Sequence, residues 1–183
     1  AVLAGSAGLT KSGSGTVTLN GANTYTGLTS LTDGTLALGA NNALADTSTL
    51  AISAGTFDLG TYSDTVAGVA LTGGAITNGT LTSTATFDVQ AGSTSSSAVL
   101  AGSAGLTKSG SGTVTLRGLN AYTGDTTVSG GTLLVASAGQ LGSGNYAGKL
   151  TLAANSMFKY GSTADQILSG VVSGTGRLVK EKL

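Results

Sequence analysis

Cysteine, histidine and proline are absent from this 183-residue chain. Without cysteine no disulfide can form. Without histidine as well, a Ser-His-Asp triad, a Cys-His pair and most zinc sites are excluded. The missing proline carries its own information, since an average chain holds about 5%. Proline removes a donor from a β-ladder and is confined to edges and bulges. A body whose strands have hydrogen-bonded neighbours on both sides would disfavour it throughout. Charge is scarce too: 9% of residues, with eight basic cancelling eight acidic, against about 25% in an average soluble domain. No Lys/Arg cluster offers a track for phosphates, so a nucleic-acid partner is not expected. Aromatic residues are 4%, which leaves Ala, Val, Leu and Ile to build the core. Such a core is thin and suits an elongated body. No run of eighteen apolar residues exists to span a bilayer as a helix, and no signal peptide is present.

What is present is repetition. Ala1 to Leu19 returns unchanged as Ala98 to Leu116. A looser echo follows each copy, Asn20 to Gly27 becoming Arg117 to Gly124. A partial third copy lays Val171 to Lys180 over Val99 to Lys108. The chain is built on one recurring unit, with repeats at 1–40 and 98–137 and a partial one from 171. The whole of 1–183 reads as one segment of a longer protein. Its hydrophobic period is two. Thr16-Val17-Thr18-Leu19, Thr35-Leu36-Ala37-Leu38, Thr49 to Ser53, Thr56 to Leu59, Ala85 to Val89 and Lys149 to Leu152 all alternate. One row of side chains faces a core and the other faces water. Threonine on the wet row is a good strand former. That regular spacing argues against disorder, despite 31 glycines.

Gly, Ser, Asn and Asp punctuate the strands at Gly13-Ser14-Gly15, Asp33-Gly34, Gly73-Gly74, Asn78-Gly79 and Gly130-Gly131. Asn-Gly and Asp-Gly ordinarily signal hairpins, so an antiparallel β-sandwich is the alternative fold. Short uniform strands and an identical repeat favour a coil of parallel strands in which like stacks on like. Asn41 to Leu44 and Ser137 to Leu141 are each expected to form at most one helical turn. Gly92 to Ser97 is expected to bulge as a loop from one rung.

The order of these pieces resembles the autotransporter-associated β-strand repeat (passenger-associated transport repeat) of bacterial passenger domains. The first set is Gly5, Gly8, Leu9, Lys11; Gly13, Gly15, Thr16, Leu19; Asn23, Tyr25, Thr26, Gly27; and Gly34, Thr35, Leu36. The second is Gly102, Gly105, Leu106, Lys108; Gly110, Gly112, Thr113, Leu116; Asn120, Tyr122, Thr123, Gly124; and Gly131, Thr132, Leu133. Gly-x-x-Gly opens both copies, where Gly174 and Gly176 show a tighter Gly-x-Gly. The resemblance implies a right-handed parallel β-helix on the cell surface. It would be exported across the outer membrane of a Gram-negative bacterium through a C-terminal β-barrel translocator of the same parent protein. At about 20–25 residues per turn the chain makes roughly eight rungs, stacked at about 4.8 Å. Tyr25 and Tyr122 are expected to mark one corner in two turns, each ring over the neighbouring turn.

For chemistry the sequence offers little. The acids Asp33, Asp46, Asp58, Asp64, Asp88, Asp125, Asp165 and Glu181 are spread out. Asp58 and Asp88 share a Phe-Asp-apolar context and could lie on one face a turn or so apart. The plainer reading makes each a wet-face residue between buried neighbours. Asn20, Asn23 and Asn120 are read as turn or ladder residues ahead of glycan ligands, and Tyr25 and Tyr122 as corner packing ahead of sugar stacking. Lys11 and Lys108 are expected to be solvated. Asn78-Gly79-Thr80 fits a glycosylation triplet but is read as a turn. No catalytic, cofactor-binding or metal-binding residue is assigned, no cofactor is expected, and catalysis is not. The expectation is a structural, secretion-supporting stalk. The alternative is an adhesin touching host surface, matrix or glycans, or a module that associates end to end through open sheet edges. A polysaccharide-acting enzyme is a remote third.

Overall fold

The computed structural model describes residues 2–181. The chain winds as a parallel β-helix. Two long sheets each hold nine strands, and every pairing is parallel. The first sheet runs from Leu9–Lys11 through Thr29–Leu31, Thr49–Ile52, Gly68–Leu71, Phe87–Val89, Leu106–Lys108, Thr126–Val128 and Leu150–Leu152 to Val172–Gly174. The second runs from Thr16–Leu19 through Thr35–Leu38, Thr56–Asp58, Ala75–Thr77, Gly92–Thr94, Thr113–Leu116, Thr132–Ser137 and Met157–Ser162 to Arg177–Lys180. A third side carries a three-stranded sheet in the middle turns, Ser63–Val66, Thr80–Ser83 and Val99–Ala101, and a two-stranded one further on, Asn145–Tyr146 with Ile167–Leu168.

Alternation works as the sequence predicts. Leu36, Leu38, Leu50, Ile52, Phe57, Leu81, Phe87 and Val89 point inward and are buried, while their neighbours Ala37, Ala51, Thr56 and Asp58 lie only partly covered on the outer row. The antiparallel sandwich is excluded by the pairing. The turns are tighter than expected. On the first sheet the register advances by as little as 18 residues (88 − 70, Ala70↔Asp88) and at most 24 (151 − 127, Thr127↔Thr151). That shortening is why the chain makes nine rungs rather than eight.

Local expectations fare unevenly. Gly92 to Ser97 is not a bulging loop: Gly92–Thr94 is a strand of the second sheet, with Thr94 buried. Gly92 and Thr94 take the inward row, Gly92 in register with buried Val114, and Ser93 takes the outer row beside Thr115. Asn41 to Leu44 forms turns and no helix. One short 3-10 turn appears at Gly142–Gly144, just past the stretch expected to hold one. The supposed hairpin dipeptide Asp33-Gly34 is a corner between parallel strands. Val172–Gly174 joins the first sheet and Arg177–Lys180 the second, whereas Val99–Ala101 joins the third and Leu106–Lys108 the first. The overlay of 171–180 on 99–108 therefore falls on different sides of the coil.

Candidate functional site: the inward face of the repeat

The two repeat lysines are not solvated. Lys11 is 5% exposed and Lys108 fully buried. Both belong to one inward column of the first sheet, Lys11, Leu31, Ile52, Leu71, Val89, Lys108, Val128, Leu152 and Gly174. A cation in an apolar column must find acceptors or stay neutral. Lys11 Nζ donates to the carbonyls of Ser12 (3.1 Å) and Gly13 (2.6 Å) in its own corner and Asp33 (3.0 Å) in the next turn's corner. Lys108 repeats the pattern, donating to Ser109, to Gly110 (2.9 Å) and, one turn on, to Gly130 (3.0 Å). Each ammonium thus ties two successive corners through carbonyls that tight turns leave without backbone donors. Burial pushes the Lys108 ammonium below its ordinary range, and the charge of Asp88 opposes that.

The glycine after each receiving corner completes the cage. Gly34 has φ +66°, and a Cβ there would fall 2.6 Å from Lys11 Nζ. Gly131 has φ +59°, and a Cβ there would lie 2.8 Å from the Gly110 carbonyl oxygen. Both backbone conformation and space demand glycine. The sequence held a signal for the inward lysines. In Leu9-Thr10-Lys11 and Leu106-Thr107-Lys108 a period of two sends lysine the same way as leucine.

The Asn-x-Tyr-Thr-Gly motif lines the other inward corner. Tyr25 and Tyr122 are buried, as corner packing predicts. Tyr25 Oη and Thr29 Oγ1 are 2.6 Å apart. In the second copy the bond extends into a chain. Tyr122 Oη meets Thr126 Oγ1 at 2.9 Å, Thr126 Oγ1 meets Tyr146 Oη at 2.7 Å, and Tyr146 donates to the Gly124 carbonyl. The Tyr122 ring packs 5.7 Å from Tyr146, edge to face, and 6.3 Å from Phe87, bridging the turns on either side.

Side-chain amides replace strand pairing where the third side is irregular. Asn23 accepts the Leu3 N–H at 2.7 Å, and its Nδ2 donates to Ala43 O at 2.6 Å. The Leu44 N–H on the far side of that peptide donates to Asp64 Oδ2 at 3.0 Å. The second copy builds the same sandwich. Asn120 Nδ2 donates to Gln140 O at 3.1 Å, and Leu141 N–H donates to Gln166 Oε1 at 2.7 Å. Gln166 Nε2 returns a bond to Leu141 O at 3.0 Å. Asn23 and Asn120 are ladder residues, as read from the sequence; Asn20 is exposed.

Asp58 and Asp88 do not share a face: Asp58 is in the second sheet and Asp88 in the first. Thirty residues is about a turn and a half of this coil. Asp58 Oδ1 accepts Gly60 N–H (2.9 Å) and Asn78 Nδ2 (2.7 Å), and these bonds hold its carboxyl below the usual range in spite of burial, the largest influence, which acts upward. Asp88 accepts Ser109 Oγ at 3.0 Å. Asn78 is a turn residue with φ +58°, its amide bonded to Asp58 and Ser97. Among the described residues no group of three or more acidic side chains is placed to hold a metal ion.

The identical copies isolate what stacking does. Val17 is 41% exposed and its twin Val114 is 0%; Leu3 is 42% exposed and its twin Leu100 is 1%. Sequence is constant, so the difference comes from the turn lying on the second copy's N-terminal side. Covering the remaining two-fifths contributes on the order of 1 kcal/mol per side chain, a like share of the about 1.5–3 kcal/mol for full burial.

The family described as Passenger-associated-transport-repeat matches residues 9–38 and 106–135, the segments that hold both lysine cages and both tyrosine corners. Adhesin BmaC autotransporter of Brucella suis biovar 1 (strain 1330) is 36% identical over 179 residues, covering 87% of this chain. The chain spans 5% of that protein's length. No solved structure matches.

Proposed function

The chain belongs to the autotransporter passenger domains that carry passenger-associated-transport repeats, and from there we propose that it is a load-carrying stalk whose repeats promote folding during export. Proteins of this kind are exported across the outer membrane and exposed at the cell surface. The observation that carries the proposal is the direction in which the repeat's signature residues point. Lys108, Asn120, Tyr122 and Thr126 are all buried and bonded to backbone or to one another, in the same turn and the next. A motif turned inward recognises its own neighbouring turn.

The copies at 1–19 and 98–116 supply the energetics. A turn docking on its neighbour covers side chains equivalent to Leu100 and Val114, so folding advances by nearest-neighbour steps. Every turn added outside the membrane makes sliding back costlier. The partner at that stage is the parent protein's C-terminal translocator. Adhesion by the lateral surface is the competing reading, prompted by the relative's name.

The test replaces Lys108 by Met and Asn120 by Leu in the full-length parent and measures surface display together with cell or matrix binding per displayed molecule. The stalk reading expects display to fall severalfold with binding per molecule unchanged. Undiminished display would overturn the export role. Normal display with lost binding would make this segment the adhesive surface.

A further inference from the structure

One buried carboxylate stands where its counterpart is a neutral amide. The peptide Ala43-Leu44 lies between Asn23 and Asp64, as Gln140-Leu141 lies between Asn120 and Gln166. Gln166 both accepts from Leu141 N and donates to Leu141 O. Asp64 accepts from Leu44 N and, ionised, has nothing to donate. It is 1% exposed, and its Oδ1 has no hydrogen-bond partner. Among the described residues no lysine or arginine forms an ion pair with it. The charged group that acts on it is Asp46, of like charge on the preceding turn's loop, while the neutral Tyr25 hydroxyl of the turn before that feels the Asp64 charge in return. From the following turn its ladder partner is Leu81, which is apolar. A carboxylate so placed is desolvated with only backbone N–H groups, and no cation, to offset the loss.

We propose that Asp64 is a proton-operated latch: protonated, its Oδ1 hydroxyl donates to the Leu44 carbonyl as Gln166 Nε2 donates to Leu141, and the turn at 41–64 closes on its neighbour; ionised, it leaves that contact half made. The proton comes from solvent and returns to it. Burial pushes the Asp64 carboxyl up to about 6, with the Asp46 charge adding to the rise and the N–H groups of Leu44, Ala43 and Thr65 resisting it. The sign follows from linkage. A folded pKa above the unfolded value of 3.8 means that the folded chain binds the extra proton, so stability grows as pH falls through 6 and levels off below 4. Between pH 7.5 and pH 5 the folding equilibrium constant shifts by about tenfold in favour of the folded state.

The chain has no histidine, and no other side-chain type ordinarily titrates in that window. The experiment follows Asp64 by carbon-detected NMR titration of its carboxyl and measures urea unfolding at pH 5 and 7.5 for wild type and Asp64→Asn. The latch expects an Asp64 midpoint well above the ordinary carboxylate range. Wild type is then more stable at pH 5, while Asp64→Asn is at least as stable as wild type at pH 7.5 and loses the tenfold pH effect. A midpoint near 4, a variant that keeps the wild-type pH dependence, or a variant weaker than wild type at pH 7.5 would each overturn it.

Discussion

Replacing Lys108 by Met tests the caged ammonium most directly. Met nearly matches the aliphatic stem and fits the column between Val89 and Val128, so the change removes charge with little change of volume. Three donor bonds to Ser109, Gly110 and Gly130 disappear. Hydrogen bonds to a charged group contribute about 1.5–3 kcal/mol each, so the gross loss is about 4.5–9 kcal/mol. Against this stands the several kcal/mol saved by no longer burying an ammonium, and water reaching the corner carbonyls recovers more. A net loss of about 2–4 kcal/mol is expected. At about 2–4 °C per kcal/mol for a chain of this size, Tm should fall by about 4–16 °C. Thermal unfolding followed by far-UV circular dichroism measures it, with the exposed Lys149→Met as control. Lys11→Met should cost less, because among the described residues its strand is paired on one side alone. If Lys108→Met falls within about 0.5 kcal/mol of wild type, the margin typical of surface changes, then the cage contributes nothing and the argument from orphaned carbonyls fails.

Thr126→Val should cost about 1–3 kcal/mol, since it strips a partner from both Tyr122 and Tyr146. Tyr122→Phe should cost about 0.5–1.5 kcal/mol, and chemical denaturation ranks the two. Gly131→Ala forces a left-handed conformation onto a residue with no room for its methyl; a loss of at least about 2 kcal/mol is expected, seen as accelerated hydrogen exchange at Thr113–Leu116 and Thr132–Ser137. Burial raises the hydroxyl pKa of Tyr25, Tyr122 and Tyr146 above the ordinary tyrosine value of 10.0. Unfolded tyrosines ionise first, so stability is present below pH 10 and lost above it. Tyrosinate absorbance of these rings should rise together with unfolding; ionisation of all tyrosines in a still-folded chain would contradict their burial.

Much of this fold is legible in the sequence because strand alternation and repeat identity act at short range. Leu36 and Leu38 announce their direction two residues at a time, and the copies at 1 and 98 announce stacking. Tyr25 and Tyr122 are likewise recognisable as corner residues from their place in the motif. Lys108 is misread because charge argues outward while period argues inward, and the acceptors that settle the contest include a carbonyl 22 residues away. Asp58 and Asp88 look alike locally, but their relation depends on turn length, which only the assembled register fixes. Gly92–Thr94 hides because a short strand of small residues pairs through its backbone and shows almost nothing in its side chains. The Asp64 sandwich is invisible for the same reason: its partner is a peptide group.

The two identical runs bear on how such a protein changes length. Counting along the first sheet, Leu9 stands over Thr29, then the strands beginning at Thr49, Gly68 and Phe87, then Leu106. The copies are therefore separated by a whole number of turns, five. A genetic exchange between coding stretches for residues 1–19 and 98–116 would delete or duplicate five complete turns, about 24 Å of rod at the usual strand spacing. Each junction would fall inside an identical run and keep the register of the ladder, and only contacts that span the run, such as that of Arg117 with Thr94, would be made anew. Reach can then vary between descendants by whole turns with the ladder register intact, and the unit of that variation is set by where the repeat recurs.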